Sequence, residues 1–133
     1  MKLNLNHSFD AAHRLEFHEG LCRNLHGHRW EVEVEIEALP SDKWIIDFGE
    51  IKKIINELDH STMLKICPEN QILIDALLII NKDKLYLFDS SPTAENITFY
   101  LEKKIRQKIN NLNIHPYQLK VKVWESPNAS IEI

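Results

Sequence analysis

A thiol and three imidazoles lie within sixteen residues near the start of the chain. They belong to His13, Cys22, His26 and His28. Three histidines match a catalytic zinc site, which keeps its fourth coordination position open for water or substrate. A thiol beside such a cluster is a candidate acid, base or nucleophile, because its protonation responds to nearby positive charge. The residue types and spacing therefore favour a small zinc enzyme.

Two other interpretations of the same residues stay open at this point. Cys22 can serve as a fourth ligand, which would close the site and make the zinc structural. The histidines can also be ordinary surface or core residues that hold no metal. Spacing alone does not decide whether the thiol reaches the metal.

Two strands must position this cluster. Residues 2–9 alternate apolar and polar side chains, and residues 28–38 alternate more strongly, with one apolar face and one acidic face. His26 and His28 are two residues apart where the second strand begins, so their side chains share one face. A hairpin-like return would place His13 opposite them. The acidic residues from Glu31 to Glu37 indicate either a solvated sheet face or the lining of a barrel.

The remaining segments predict helices grouped between strands. We expect a break at Pro40-Ser41-Asp42, short strands over 44–48 and 84–88, and later strands over 119–125 and 129–133. Helical spacing from Ile51 to Leu58 predicts a first helix with Asp47 as its N-cap, ending at 59–62. A second helix is expected over 69–80, and a third opens at 91–93 with Pro92 in its first turn. This order predicts an α+β fold with an antiparallel sheet.

Composition limits the class of protein. A chain of 133 residues with 44% hydrophobic and 27% charged residues predicts one globular domain, residues 1–133. The net charge of −4 gives no sign of a nucleic-acid or membrane partner. Two cysteines, Cys22 and Cys67, do not make a disulfide framework, so we expect a cytoplasmic protein.

Six motifs occur in order along almost the whole chain. They are Phe9-Asp-Ala-Ala-His13-Arg-Leu, Cys22-x-x-x-His26-Gly-His28, Ile46-Asp47-Phe48-Gly49, Leu58-Asp59-His60, Pro92-Thr93-Ala94-Glu95-Asn96 and Val123-Trp124-Glu125. With these motifs the chain resembles the 6-pyruvoyltetrahydropterin synthase superfamily. The three residues between Cys22 and His26 resemble its 6-carboxytetrahydropterin synthase branch, which serves queuosine (7-deazaguanine) biosynthesis.

The resemblance implies a set of roles. Zinc would bind His13, His26 and His28, and Cys22 would be the proton-transfer thiol. Asp59 and His60 would complete a relay to Cys22, reaching it from a neighbouring subunit. Glu125 would anchor the pterin ring, and Thr93 and Glu95 match positions near the same pocket.

The resemblance also implies an assembly and a reaction. The expected fold is the tunnelling fold, an antiparallel sheet with helices on one face, in which several subunits close a β-barrel as a homohexamer, a dimer of trimers. The implied substrate is 7,8-dihydroneopterin triphosphate, and the products are 6-carboxytetrahydropterin, acetaldehyde and triphosphate. A sister enzyme that makes 6-pyruvoyltetrahydropterin or cleaves the side chain for folate synthesis, and a non-catalytic zinc-stabilised pterin-binding module, are the alternatives. Lys65, Ser126 and Trp44 depart from the residues common in the family.

Overall fold

The computed structural model describes residues 1–40 and 43–133 and contains six strands and three α-helices. The strands are β1 (Lys2–His13), β2 (His26–Ala38), β3 (Ser61–Lys65), β4 (Leu85–Phe88), β5 (Tyr117–Ser126) and β6 (Ala129–Glu132). The helices are α1 (Phe48–Asn56), α2 (Gln71–Ile80) and α3 (Ala94–Asn111). The expected break at Pro40-Ser41-Asp42 falls mostly on residues 41 and 42, which lie outside the described residues.

The six strands form one mixed sheet in the order β4-β3-β1-β2-β5-β6. The pairs β1–β2, β2–β5 and β5–β6 are antiparallel, as expected. The prediction of an antiparallel sheet is wrong for the other two strands, because β3 pairs parallel to β1 and β4 pairs parallel to β3. Parallel neighbours need a crossover connection, and α2 supplies it between β3 and β4.

The main core lies between the sheet and helices α1 and α3. The inward residues of β1, β2 and β5 pack there against the predicted stripe of α3, which is fully buried and consists of Ile97, Leu101, Ile105 and Ile109. Asp47 caps α1 as predicted, because its carboxylate accepts a hydrogen bond from the Gly49 N–H at 2.7 Å. This layer covers the face of the sheet on which the three histidines lie.

Helix α2 lies on the other side of the parallel strands. Adjacent strand residues point to opposite faces, and Met63 belongs to the main core whereas Leu64 packs in a separate cluster with Ile74 and Leu77 of α2. The prediction of helices on one face of the sheet is therefore wrong for α2. The two buried apolar residues of α2, Ile74 and Leu77, pack against the outer face of β3, whereas Ile72, Ile79 and Ile80 are exposed.

Three local predictions were also wrong. Residues 44–48 contain no strand, and α1 begins at Phe48. Residues 61 and 62, expected to end the first helix, instead begin β3. Pro92 lies before the first turn of α3, since Thr93 is the N-cap. Strand β3 has four consecutive buried residues rather than an alternating pattern, so it carried no period-two signal.

The acidic residues of β2 lie on the sheet face opposite α1 and α3. Glu33 is in register with Lys122 of β5, and Glu35 is in register with Lys120 and forms an ion pair with Lys2 at 3.1 Å. Cross-strand pairs of opposite charge stabilise a sheet modestly. Within one chain the charge of this solvent-facing surface is therefore balanced in part, at Glu35 and Glu37. None of the described helices is long and apolar enough to cross a membrane.

Candidate metal centre

The register of β1 against β2 brings the three histidines together. His13 lies directly opposite His26, and His28 lies opposite Ala11 on the same face. Their ring centroids are 4.6 Å apart for His13 and His26, 5.2 Å for His13 and His28, and 4.9 Å for His26 and His28. One ring nitrogen from each lies within 4.8 Å of the others, a grouping suited to a metal ion.

Backbone carbonyls set the tautomers of two of these rings. Nδ1 of His13 lies 2.8 Å from the Pro92 oxygen, and Nδ1 of His26 lies 2.7 Å from the Asn24 oxygen. A carbonyl oxygen only accepts hydrogen bonds, so each Nδ1 must carry the proton and each neutral ring presents a bare lone pair at Nε2.

The resulting Nε2 atoms are arranged for a cation. Those of His13 and His26 are 3.1 Å apart, with no hydrogen between them when both rings are neutral. Nε2 of His28 is buried without a hydrogen-bond partner among the described residues. Metal-binding histidines commonly donate their second N–H to a carbonyl, as His13 and His26 do. The residues therefore fit a three-histidine metal site.

Burial favours the neutral forms of His13 and His28. It lowers the pKa of His13 to about 4, outweighing the opposing hydrogen bond to Pro92, with smaller lowering by His26 and His28. Burial also lowers the pKa of His28, against the charge of Glu125. Trp30 is fully buried and meets His13 and His28 edge-on, with centroid distances of 5.1 and 5.6 Å. Its indole is the apolar floor of the cluster.

Glu125 connects the histidines to an open cleft. Its Oε1 lies 4.0 Å from Nε2 of His28. The pairing of β2 with β5 ends at Glu31 and Trp124, and a β-bulge follows between Trp124 and Ser126. Bulges bend a strand and re-aim a side chain. Beside them is a cleft of about 580 Å³, lined by His28, Glu125 and seven other residues, which has room for a small heterocyclic molecule.

Cys22 lies in a 3-10 turn, Leu21–Arg23, between the two histidine-bearing strands. The turn is tied to the end of β1 by a hydrogen bond of 2.9 Å from the Leu15 N–H to the Cys22 oxygen. The thiol is half-buried and free. Among the described residues, Cys22 is not part of the close group of metal-type donors, which favours an open site over a four-ligand one.

Asp59 and His60 form a prearranged pair beside β1. Oδ2 of Asp59 lies 2.8 Å from Nδ1 of His60, and Oδ1 accepts the Asp10 N–H at 2.8 Å. That backbone hydrogen bond is the main reason why the pKa of Asp59 lies below its ordinary value. His60 has a left-handed φ of 59°, which is costly outside glycine, and its side chain is 78% exposed. Within one chain no hydrogen bond between described residues joins this pair to Cys22.

The two other predicted substrate residues lie where α3 begins. Oγ1 of Thr93 accepts a hydrogen bond from the Asn96 N–H at 3.3 Å, which makes Thr93 the N-cap. Glu95 is an exposed acid in the first turn, where a carboxylate favours the helix dipole. Both residues therefore have a local structural role, and the adjacent Pro92 carbonyl is the group that contacts the histidine cluster.

The sequence of the chain matches a known protein family over almost its whole length. The sequence model of the family described as 6-pyruvoyl tetrahydropterin synthase matches residues 2–133. The chain belongs to this family. It is 35% identical over 132 residues to a Rickettsia conorii protein named 6-carboxy-5,6,7,8-tetrahydropterin synthase, with 94% of each chain covered. A protein of the same name from Haemophilus influenzae is 28% identical over 144 residues, covering 98% of this chain and 96% of the relative.

Solved structures show the same fold. The 6-pyruvoyltetrahydropterin synthase of Plasmodium vivax, as a catalytic-residue mutant, superposes with a TM-score of 0.74 at 20% identity, covering 100% of this chain and 96% of that one. An uncharacterized protein from Wolinella succinogenes gives 0.78 at 19% identity, covering 100% and 97%. The family match and the curated relatives confirm the superfamily predicted from the sequence, and the solved structures confirm the fold.

For this member of the 6-pyruvoyl tetrahydropterin synthase family, sequence reasoning missed the supporting groups. The carbonyls of Asn24 and Pro92 carried no signal, because any residue type supplies a carbonyl. Trp30 was visible only as an apolar strand residue, although its spacing of two from His28 places it on the same face.

Proposed function

We propose that the protein is a zinc-dependent 6-carboxy-5,6,7,8-tetrahydropterin synthase. It would convert 7,8-dihydroneopterin triphosphate into 6-carboxytetrahydropterin, acetaldehyde and triphosphate in queuosine biosynthesis. The observation that carries the proposal is the cluster of three Nε2 atoms prepared for a cation. It occurs in a chain that shares almost its whole length with relatives named for this activity.

His13, His26 and His28 would hold the zinc. A zinc ion on three neutral imidazoles supplies Lewis-acid polarisation of a bound hydroxyl or carbonyl. The donor set suits zinc, because imidazole nitrogen is among its preferred ligands and three protein ligands are typical of catalytic sites. The neutral state of His13, whose pKa is lowered to about 4, keeps its lone pair available at neutral pH.

Glu125 would orient the pterin. An ionised carboxylate accepts two parallel hydrogen bonds, and the 2-amino group and adjacent ring N–H of a pterin present two donors side by side. The position of Glu125, 4.0 Å from His28 at the edge of the cleft, would hold the ring close to the histidine cluster. Thr93 and Glu95 remain proposed contacts near the same pocket.

Cys22 would transfer the carbon-bound proton, with His60 as its partner. The carboxylate of Asp59 holds the proton of His60 on Nδ1, which leaves Nε2 free to accept or return a proton. His60 is exposed and, among the described residues of one chain, has no hydrogen bond to Cys22, which supports a relay completed by a neighbouring copy. We therefore propose that residues 1–133 act as one domain in a homohexameric barrel, and that the protein is cytoplasmic.

The first experiment identifies the products. Zinc-loaded protein is incubated with 7,8-dihydroneopterin triphosphate, and the products are identified by mass spectrometry. Acetaldehyde together with 6-carboxytetrahydropterin supports the proposal. A pyruvoyl product would place the protein with the sister enzymes, and binding without turnover would favour a pterin-binding module.

Variants separate the roles of the residues. His26→Ala is expected to lose zinc, whereas Cys22→Ala is expected to keep zinc and lose turnover. Cys67→Ala is the matched control, because Cys67 is the other half-buried free thiol and should be dispensable. Loss of zinc in Cys22→Ala would show that the thiol is a ligand.

Subunit complementation tests the shared relay. Cys22→Ala and His60→Ala variants are each expected to be inactive, but co-expression should restore about one site in four if each site combines both residues from different copies of a symmetric assembly. No recovery from a confirmed mixed oligomer would contradict a relay between subunits.

A further inference from the structure

Glu16 is a buried carboxylate outside the set of residues considered so far. Its side chain is 6% exposed, although it lies in the loop that follows β1. Oε1 accepts a hydrogen bond from the Ser91 hydroxyl at 2.6 Å and lies 3.4 Å from Nζ of Lys65. Oε2 is buried and has no hydrogen-bond partner among the described residues. A buried charge with so few partners needs a reason.

The contact between Glu16 and Ser91 lies next to the contact that orients His13. One bridge joins His13 to the Pro92 carbonyl at 2.8 Å, and the second joins Glu16 to Ser91. Both connect the exit of β1 to the turn that precedes α3. His13 and Glu16 are three residues apart in sequence, and Ser91 and Pro92 are adjacent. The contact between Glu16 and Ser91 therefore restricts the position of the contact between His13 and Pro92.

The turn around Ser91 is fixed at its other end by α3. The Ser91 oxygen accepts hydrogen bonds of 2.8 Å from both the Asn96 side chain and the Thr93 N–H. These bonds attach the turn to the helix. Among the described residues, the bond to Glu16 is the one that attaches the Ser91 side chain to the segment carrying His13. The position of the Pro92 carbonyl therefore depends on two contacts of the neighbouring Ser91: its backbone oxygen is bound to α3, and its hydroxyl is bound to Glu16.

Lys65 balances the charge of Glu16. It stands at the end of β3, where its ammonium group reaches the buried carboxylate. Burial would raise the pKa of Glu16, but the hydrogen bond from Ser91, the nearby backbone N–H of Glu16 itself and the charge of Lys65 outweigh this effect and lower it. Glu16 is thus an acceptor for Ser91 throughout the neutral range.

We propose that Glu16 is a positioning residue of the metal centre, which holds Ser91 so that the Pro92 carbonyl keeps the proton of His13 on Nδ1 and its Nε2 lone pair directed at the metal. Outer-shell partners of metal-binding histidines fix the tautomer and ring orientation in this way. The inference rests on the proposed zinc site but not on the identity of the reaction.

The first test is zinc affinity, measured by competition with a chromogenic chelator. Glu16→Ala and Ser91→Ala are each expected to weaken zinc binding by about tenfold, the lower end of the range for such partners. Glu16→Gln keeps an amide oxygen for the Ser91 hydroxyl and is expected to stay within about threefold of the wild type. Glu19→Ala, an exposed carboxylate in the same loop, is the matched control and should bind zinc as the wild type does.

The second test reads the tautomer directly in metal-free protein. Long-range proton–nitrogen NMR spectra should show His13 protonated at Nδ1 in the wild type, in Glu16→Gln and in Glu19→Ala. Glu16→Ala and Ser91→Ala should show a mixture of tautomers. Since no zinc or substrate is present, this result is independent of the proposed activity. Wild-type protein that binds no zinc would refute the proposed function and leave the tautomer test to decide the role of Glu16.

Three outcomes would overturn the inference. Wild-type zinc affinity and a single tautomer in Ser91→Ala would show that the second bridge does not orient His13. Equal zinc losses in Glu16→Gln and Glu16→Ala would assign the effect to the charge. Losses that add fully in the Glu16→Ala/Ser91→Ala double variant would show that the two residues act separately, because members of one network are non-additive. If Glu16→Ala does not fold, Ser91→Ala and Glu16→Gln decide the question.

Discussion

Trp30 connects the stability of the sheet to the geometry of the histidines, and Trp30→Phe separates the two contributions. The indole is fully buried, stacks on Phe9 with a centroid distance of 5.8 Å, and contacts the rings of His13 and His28 edge-on. Phenylalanine keeps an aromatic ring for the stack on Phe9. The substitution shortens the aromatic side chain and so reduces its contact with the rings of His13 and His28.

The expected loss follows from the buried area. Aromatic side chains bury about 150–250 Å², with tryptophan near the top and phenylalanine near the bottom of that range. A difference of about 80 Å² at about 25 cal/mol/Å² gives about 2 kcal/mol of unfolding free energy. The hydrogen bond from Nε1 to the Ala11 oxygen is long, at 3.4 Å, and adds little. Zinc affinity should fall about tenfold, because the rings lose a packed neighbour that fixes their orientation.

The assay pairs urea denaturation with chelator competition on the same samples. Ile36→Ala is the matched control, because Ile36 is fully buried on the same strand and face but lies at the other end, opposite Leu3. It should cost about 3 kcal/mol and leave the intrinsic zinc affinity of the folded protein unchanged. Equal zinc losses in both variants would refute a specific role for Trp30, as would a normal zinc affinity in Trp30→Phe.

Three further predictions concern the polar groups around the site. Oγ1 of Thr93 caps α3, so Thr93→Ala should lower the unfolding free energy by about 1 kcal/mol, whereas Thr93→Ser should preserve it. Urea denaturation measures both values. A raised KM in Thr93→Ser would show that Thr93 also contacts the substrate. His60→Gly should be about 1 kcal/mol more stable than His60→Ala, since only glycine adopts the left-handed φ without strain. Both variants should lose turnover. Equal stabilities of the two variants would contradict this prediction. Asp59 has a lowered pKa because it accepts the Asp10 N–H, so its stabilising effect is present above the ordinary value of 3.8 and disappears as the pH falls through the folded-state pKa. Asp59→Asn should therefore flatten the acid limb of stability measured by urea denaturation against pH, and an unchanged limb would refute the assignment.

Local patterns were sufficient where the cause is local. The alternation of β2 and the stripe of α3 predicted buried faces that the structure confirms, because a strand repeats every two residues and a helix about every 3.6. The Asp47 cap followed from residue type at the start of an apolar helical pattern. Strand β3 could not be found in this way, because its burial on both faces removes the alternation and its parallel neighbours are remote in sequence.

The sequence by itself determined the chemistry available to this protein. His13, His26 and His28 lie on two strands of one hairpin, and Cys22 lies in the segment that joins these strands, so their spacing alone predicted a histidine cluster with a nearby thiol. Only the tertiary structure decided how that chemistry is arranged. It fixed the His13 tautomer through a carbonyl 79 residues away, paired Asp59 with both His60 and the Asp10 N–H, and buried Glu16 against Ser91. These features depend on contacts between distant segments and on backbone groups that every residue carries, and neither leaves a pattern in a single sequence.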